Sequence, residues 1–303
     1  MLRRLRRPAT LDWLIASSLG FAVLSAGLVF LGDGATVRSR AYTGTPQFKV
    51  WAVLVVALVA LLPAIWHIGI VLLSRLGVDG YRLLFRTSLG PVLLATVAAL
   101  SLIALFAGKL LFDLNVTSSR PNPYFYGPIR VTIIYLLALG AAAPACVAMW
   151  VCYRHAERAG ITELLRIREC LLAALTALGT LLSLGVFTTG AQRLAAQAAP
   201  KVAISFPAAY VLIFGFAFSA LLLANFAPAY RRLTTACKDT IDTVLPIVTP
   251  PAENWQGRLQ ERKDFADLLK LTSGTRDVVT SAIVVAGPLI SSAFSLFLPT
   301  GSG

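Results

Sequence analysis

The chain alternates between long apolar stretches and short polar ones. Apolar runs occupy residues 11–31, 50–73, 89–111, 131–151, 171–189 and 202–227. Each holds roughly 20 residues, enough for a helix rising 1.5 Å per residue to cross a hydrocarbon layer about 30 Å thick. An isolated strand in lipid would leave its backbone N–H and C=O groups without partners, so each run is expected to be helical. The pattern predicts an all-α membrane bundle of about six crossings. Trp13, Trp51, Trp66, Trp150, Tyr153, Tyr210 and Tyr230 stand near the ends of runs. Their rings suit headgroup depth, having one apolar edge and one edge that hydrogen-bonds.

Polar positions then orient the bundle. Arg3, Arg4, Arg6 and Arg7 precede the first run. If that end is cytoplasmic, the inner segments also carry Arg75, Arg82, Arg86, Arg154, Arg158, Arg166 and Arg168. The outer loops carry Arg38, Arg40, Lys49, Arg120, Arg130, Arg193 and Lys201. The inner set is the larger, and Arg231 and Arg232 after the sixth run add to it. The positive-inside rule therefore places the N-terminus in the cytoplasm. The basic start and apolar first run resemble a secretory signal. The run is long for a signal core, however, and residues 27–36 offer no A-x-A cleavage site, so a retained first helix is expected.

Beyond residue 230 the pattern changes. We expect residues 1–230 to form the transmembrane domain and 231–303 a cytoplasmic tail with a membrane-associated end. Arg231 to Val244 continue the helical pattern, and Pro246, Pro250 and Pro251 interrupt it. Leu259, Phe265, Ala266 and Leu269 then recur at helical spacing among charges of both signs, predicting an amphipathic helix of about three turns. Its apolar stripe needs cover from the membrane, the inner loops or a partner. Residues 278–298 are apolar again, with Gly287-Pro288 in the middle. A re-entrant or interfacial helix pair is expected there, with a seventh crossing as the alternative.

Composition agrees with the pattern. The chain is 57% hydrophobic and 14% charged, with a mean hydropathy of +0.76. Soluble domains carry about 25% charged residues. A net charge of +13 would suggest nucleic acid in a soluble protein. Here the cations sit at the ends of apolar runs, so the expected partner is a bilayer with anionic headgroups and not nucleic acid. Cys146, Cys152, Cys170 and Cys237 form no CxxC pair and fall outside the outer loops, so they read as packing residues, with lipidated thiols as the alternative. Arginine outnumbers lysine, and alanine and leucine abound. This bias fits GC-rich coding and the plasma (inner) membrane of a bacterium. In the outer segment 113–129, Pro121, Pro123 and Pro128 exclude regular helix around Tyr124, Phe125 and Tyr126, which suit the membrane surface or a binding loop. The sequon Asn115-Val116-Thr117 has no role in that setting.

Candidate chemistry is sparse. Ionisable groups inside a bilayer are costly and mark solute or ion paths. Lys109 and Asp113 stand four apart at the outer end of the third run, as a salt-bridged anchor or a solute contact. His67 near the inner end of the second run and Asn225 in the sixth are the other candidates for solute or ion contact. Two distant histidines, His67 and His155, make no metal site, and no cofactor is expected. Neither G-x-S-x-G nor a P-loop occurs, so no catalytic residue is assigned. Small residues are better represented. Gly215 and Ser219, Ala173 and Ala177, and the row Gly287, Ser291, Ser295 lie at spacings that let helices approach closely, within one subunit or between copies. Pro63, Pro144 and Pro288 stand inside runs as kinks or path-lining breaks. Two functions are weighed above a lipid-active enzyme. The first is a non-enzymatic signalling or partner-binding module, meeting a protein partner or a second copy through its C-terminal tail. The alternative is a transporter or channel for a small solute or ion.

Overall fold

In the computed structural model, residues 9–30, 43–77, 127–198, 208–246, 255–268 and 275–297 are described. Among them every regular element is helical. In chain order these are α1 (Ala9–Phe30), α2 (Pro46–Arg75), α3 (Gly127–His155), a 3₁₀ turn (Ala156–Arg158), α4 (Ile161–Ala198), α5 (Ala208–Val244), α6 (Trp255–Leu268) and α7 (Thr275–Phe297). Four of these, α2, α3, α4 and α5, are long and apolar enough to cross a membrane. The third apolar run, 89–111, lies outside the described residues, so the expected six crossings are not all on view.

Local sequence explains the ends. Thr45 caps α2: its hydroxyl accepts from the Phe48 N–H at 3.2 Å, and Pro46 follows at the first helical position. At the other end Gly77 takes φ +73°, the left-handed turn that glycine closes at least cost. Glu163, three residues past Gly160, accepts from the Gly160 N–H at 3.2 Å and so holds the start of α4. At 38 residues α4 is about 57 Å long, well beyond a ~30 Å hydrocarbon layer.

The bundle is built around α2 and α4. Helix α4 packs along α2, α7, α5 and α3, and α2 packs also against α1 and α3. Its core joins Trp51, Val55, Leu62 and Leu73 of α2 to Ala145, Ala148 and Met149 of α3 and to Leu164, Leu171, Leu175 and Leu178 of α4. Many large apolar side chains face outward instead: Leu19 and Val23 of α1, Val53 of α2, Ile213 and Phe216 of α5, and Ile283 and Phe294 of α7. Lipid as solvent removes the penalty that water would impose on such a surface.

Side-chain pairs set the directions. Tyr135 meets Thr189 at 3.0 Å, while Cys152 donates to the Ile167 carbonyl at 3.7 Å. Helix α3 is therefore antiparallel to α4. Helix α7 lies between α4 and α5. Gly179 and Ser183 of α4 face Val284 and Gly287 in ascending order, so α7 runs parallel to α4. Gly215 of α5 faces Ser292 and Pro288, and Ser219 accepts from the Leu289 N–H at 3.3 Å, so α7 runs antiparallel to α5. The expected helix pair broken at Gly287-Pro288 is instead one helix of 23 residues, continuous through Pro288. Proline can sit there because neighbouring helices take up the disturbed backbone. Its missing N–H releases the Val284 carbonyl, and that carbonyl faces Gly179. Pro63, Pro144 and Pro228 likewise stand inside continuous helices.

The glycines at these crossings have no room for a side chain. A Cβ at Gly69 would come within 2.6 Å of the Pro144 Cβ and 2.7 Å of the Ala145 backbone nitrogen. At Gly140 the same atom would meet open space. Gly69→Ala should therefore cost about 1–3 kcal/mol by forcing α2 from α3. Gly140→Ala should be neutral or slightly stabilising, since alanine is the better helix former. Thermal unfolding in detergent of the two variants measures the difference; equal midpoints would refute the close crossing.

Candidate functional site

Most of the described arginines gather at one end of the bundle, where α3 ends, α4 begins and α5 emerges from its apolar stretch. The apolar part of α3 gives way to Tyr153, Arg154 and His155, and that of α5 to Tyr230, Arg231 and Arg232. Arginine at the last turn of α3 also suits the partial negative charge of a helix C-terminus.

Arg232 is the centre of this belt. Its guanidinium lies 4.3 Å from the centroid of the Tyr153 ring and pairs with Glu157 on the 3₁₀ turn. One side chain thereby ties α5 to α3 and to the turn leading into α4. Arg154 covers the Trp150 ring of its own helix at 5.0 Å and remains exposed, as does Arg231. Deeper in, Arg168 of α4 is buried at 8% exposure. Near it lie three buried cysteines: Cys152, Cys170 and Cys237. Among the described residues the cysteines are free, and no group of three or more His, Cys, Asp or Glu is placed to hold a metal.

Below the belt, α5 continues to Val244 and meets α6. Arg262 of α6 pairs with Asp242 and also donates to the Leu245 carbonyl at 2.8 Å. Phe265 and Ala266 turn towards the core. Leu259 and Leu268 are exposed at 54% and 58%.

The candidates read from sequence fall in separate places. Lys109 and Asp113 lie outside the described residues. His67 is half-buried on α2, two turns before Arg75. Asn225 donates through Nδ2 to the carbonyl of Leu221 in its own helix at 2.8 Å, which occupies that amide locally. The structure does not bring His67 and Asn225 into one cluster. Among the small residues, Gly215, Ser219 and Gly287 lie at contacts within one chain. Ser291 is half-buried, and the side chain of Ser295 is outside the description. Its neighbour Ser292, fully buried against Gly215, was not singled out by the spacing. Ala177 is buried and Ala173 exposed. Sequence reading also missed Arg232 as a tie. The i, i+4 spacing of Trp150 and Arg154 was the only local signal for the belt, because Tyr153 and Arg232 are far apart in the chain.

Comparison of the chain with protein-family models, with curated proteins and with solved structures gives no match. The residues themselves therefore carry the functional reading. The belt contributes cations and aromatic faces, a set suited to holding anionic groups and fixing helices at an interface.

The tie can be weighed. The Arg232–Glu157 pair is partly exposed and contributes below about 1 kcal/mol. The ring contact adds about 0.5–1 kcal/mol. In a double-mutant cycle of Arg232→Gln and Tyr153→Leu, read by thermal unfolding in detergent, the coupling should be about 0.5–1 kcal/mol. Strict additivity would show that the ring and the guanidinium do not interact.

Proposed function

We propose that the protein is a non-enzymatic membrane module, a signalling or partner-binding subunit. Its working surface is the cytoplasmic platform formed by the end of α5 and by α6. One observation carries this reading. Helix α6 is a polar helix outside the apolar bundle, joined to it through Arg262, Phe265 and Ala266, and it presents Leu259 and Leu268 to solvent. They stand nine residues apart, on opposite sides of the helix, so each is a separate apolar anchor for a partner protein that embraces it.

The same reading gives the chain seven crossings of a plasma membrane. These are α1, α2, the run at 89–111, α3, α4, α5 and α7, with the N-terminus inside and the C-terminus outside. The parallel course of α7 and α4, together with the antiparallel course of α7 and α5, supports a seventh crossing over an interfacial position. Helix α7 also lies level with the middle of α4 through Gly179 and Val284. The alternative, a transporter or channel, rests mainly on Lys109 and Asp113. On the described helices no observation raises it above the module reading.

Two measurements follow. Compartment-specific reporters fused after Thr235 and at Gly303 should report opposite sides of the membrane. The same side for both would remove the seventh crossing. A photo-reactive residue at Leu259 or Leu268 should form a discrete protein adduct in cells, and one at Val53, exposed on α2 and facing lipid in this reading, should not. The pair Leu259→Asp and Leu268→Asp should abolish that adduct while shifting the detergent unfolding midpoint by no more than a surface change does, within about 0.5 kcal/mol. Full retention of every interaction and phenotype by the double variant would sink the module reading.

A further inference from the structure

Where Tyr153 of α3 meets Arg232 of α5 the two helices run parallel, both being antiparallel to α4, so Arg154 and Arg231, each one residue from that contact, turn to the same side of the pair. Along α5, Phe216, Ala220, Leu223 and Ala227 are exposed at successive helical turns, and Arg231 follows one turn later on the same face. The stripe is an apolar track that ends in a cation. Along α3, Trp150 and Arg154 stand one turn apart, with the guanidinium 5.0 Å from the ring centroid. The contact of Arg232 with Tyr153 at 4.3 Å fixes the two helices side by side at this level. Glu157, the acidic group at this junction, is taken by Arg232. Among the described residues no ion pair to a carboxylate is recorded for Arg154 or Arg231.

We propose that this side of the α3–α5 pair is a binding site for an anionic phospholipid of the inner leaflet. The phosphate lies between Arg154 and Arg231, and one acyl chain lies along Leu223 and Ala227. Two arguments select this occupant. Two exposed guanidiniums at headgroup depth need anionic partners, and a phosphate accepts from both. The apolar track continues from the cationic end into the bilayer, which suits a molecule with a charged head and a long tail. A soluble anion would have no use for the track. The ring contacts hold the site open: Trp150 fixes Arg154, and Arg232 is kept on Tyr153 and Glu157 instead of competing for the phosphate. The proposal rests on the membrane-module reading only in placing these helix ends at the inner face.

Native mass spectrometry of the delipidated full chain in detergent tests the site. The probes are phosphatidylglycerol and phosphatidylcholine of identical acyl chains. The wild-type chain should retain phosphatidylglycerol preferentially. Arg154→Gln and Arg231→Gln should each reduce that preference about fivefold, a cationic contact near a membrane surface contributing about 1 kcal/mol. Arg75→Gln and Arg166→Gln, each of which removes the same charge elsewhere on the inner face, should leave it unchanged. An equal loss in these controls would overturn the site in favour of diffuse attraction. Absence of any preference in the wild type would overturn it outright. Displacement of the bound lipid by millimolar inorganic phosphate would make the occupant a free anion and also overturn it. Unfolding midpoints of the variants separate lost binding from lost folding. Because the measurement is made in micelles, reporters giving an inverted topology would sink the module reading while leaving the lipid preference standing.

Discussion

Two helices in hydrocarbon gain nothing from turning apolar side chains towards one another, because lipid tails are equally apolar. What joins them is dispersion over closely fitted surfaces, and closeness depends on the absence of side chains. In this protein that constraint is met at Gly69, Gly179, Gly215 and Gly287. Gly69 lets α2 rest on the backbone of α3 beside Pro144. Gly179 and Gly215 press α7 from either side, on Val284 and on Ser292 with the Pro288 carbonyl. Both contacts sit around the proline that disturbs α7. The close approach thus explains why a proline is tolerated in the middle of α7: its neighbours surround the altered backbone on two sides.

Helix α4 organises the rest. It is the longest described helix, it touches each of α2, α3, α5 and α7, and it carries the buried Arg168 near its N-terminal end. At the other end it meets α3 through Tyr135 and Thr189. A rod anchored at both ends to α3 and at its middle to α7 leaves little freedom within the bundle. The belt of arginines and aromatic rings closes the end where α3 stops and α4 starts, where charged groups follow the apolar stretches. Beyond it, α6 hangs on Arg262, Phe265 and Ala266.

Much of the architecture could be read from residue order. The apolar runs at 50–73, 131–151, 171–189 and 202–227 correspond to α2, α3, α4 and α5, because lipid imposes a length and a helical backbone on any crossing segment. The segment around Phe265 forms a helix, α6, as its spacing suggests, but of the expected apolar stripe only Phe265 and Ala266 turn towards the core, while Leu259 is exposed. Gly215 and Ser219 were marked by spacing alone and lie on the α5–α7 contact. The last segment was harder to read. Gly287-Pro288 suggests a break, and only the packing of α4 and α5 around it shows why the helix continues. Ser292 stands one residue past Ser291 of the small-residue row, and its burial against Gly215 depends on where α5 lies.

By itself, then, the order of residues determined the apolar character of the surface, the helical class, the approximate ends of the long helices and the cations that flank them. Each of these follows from local chemistry: run length against bilayer thickness, and charge against headgroup. Only the tertiary structure decided which helices touch, that α7 lies between α4 and α5, and that Arg232 spans Tyr153 and Glu157. Those pairings join residues dozens of positions apart. They depend on how rigid helices fit side by side, a property of surfaces in three dimensions that periodicity along one chain does not encode.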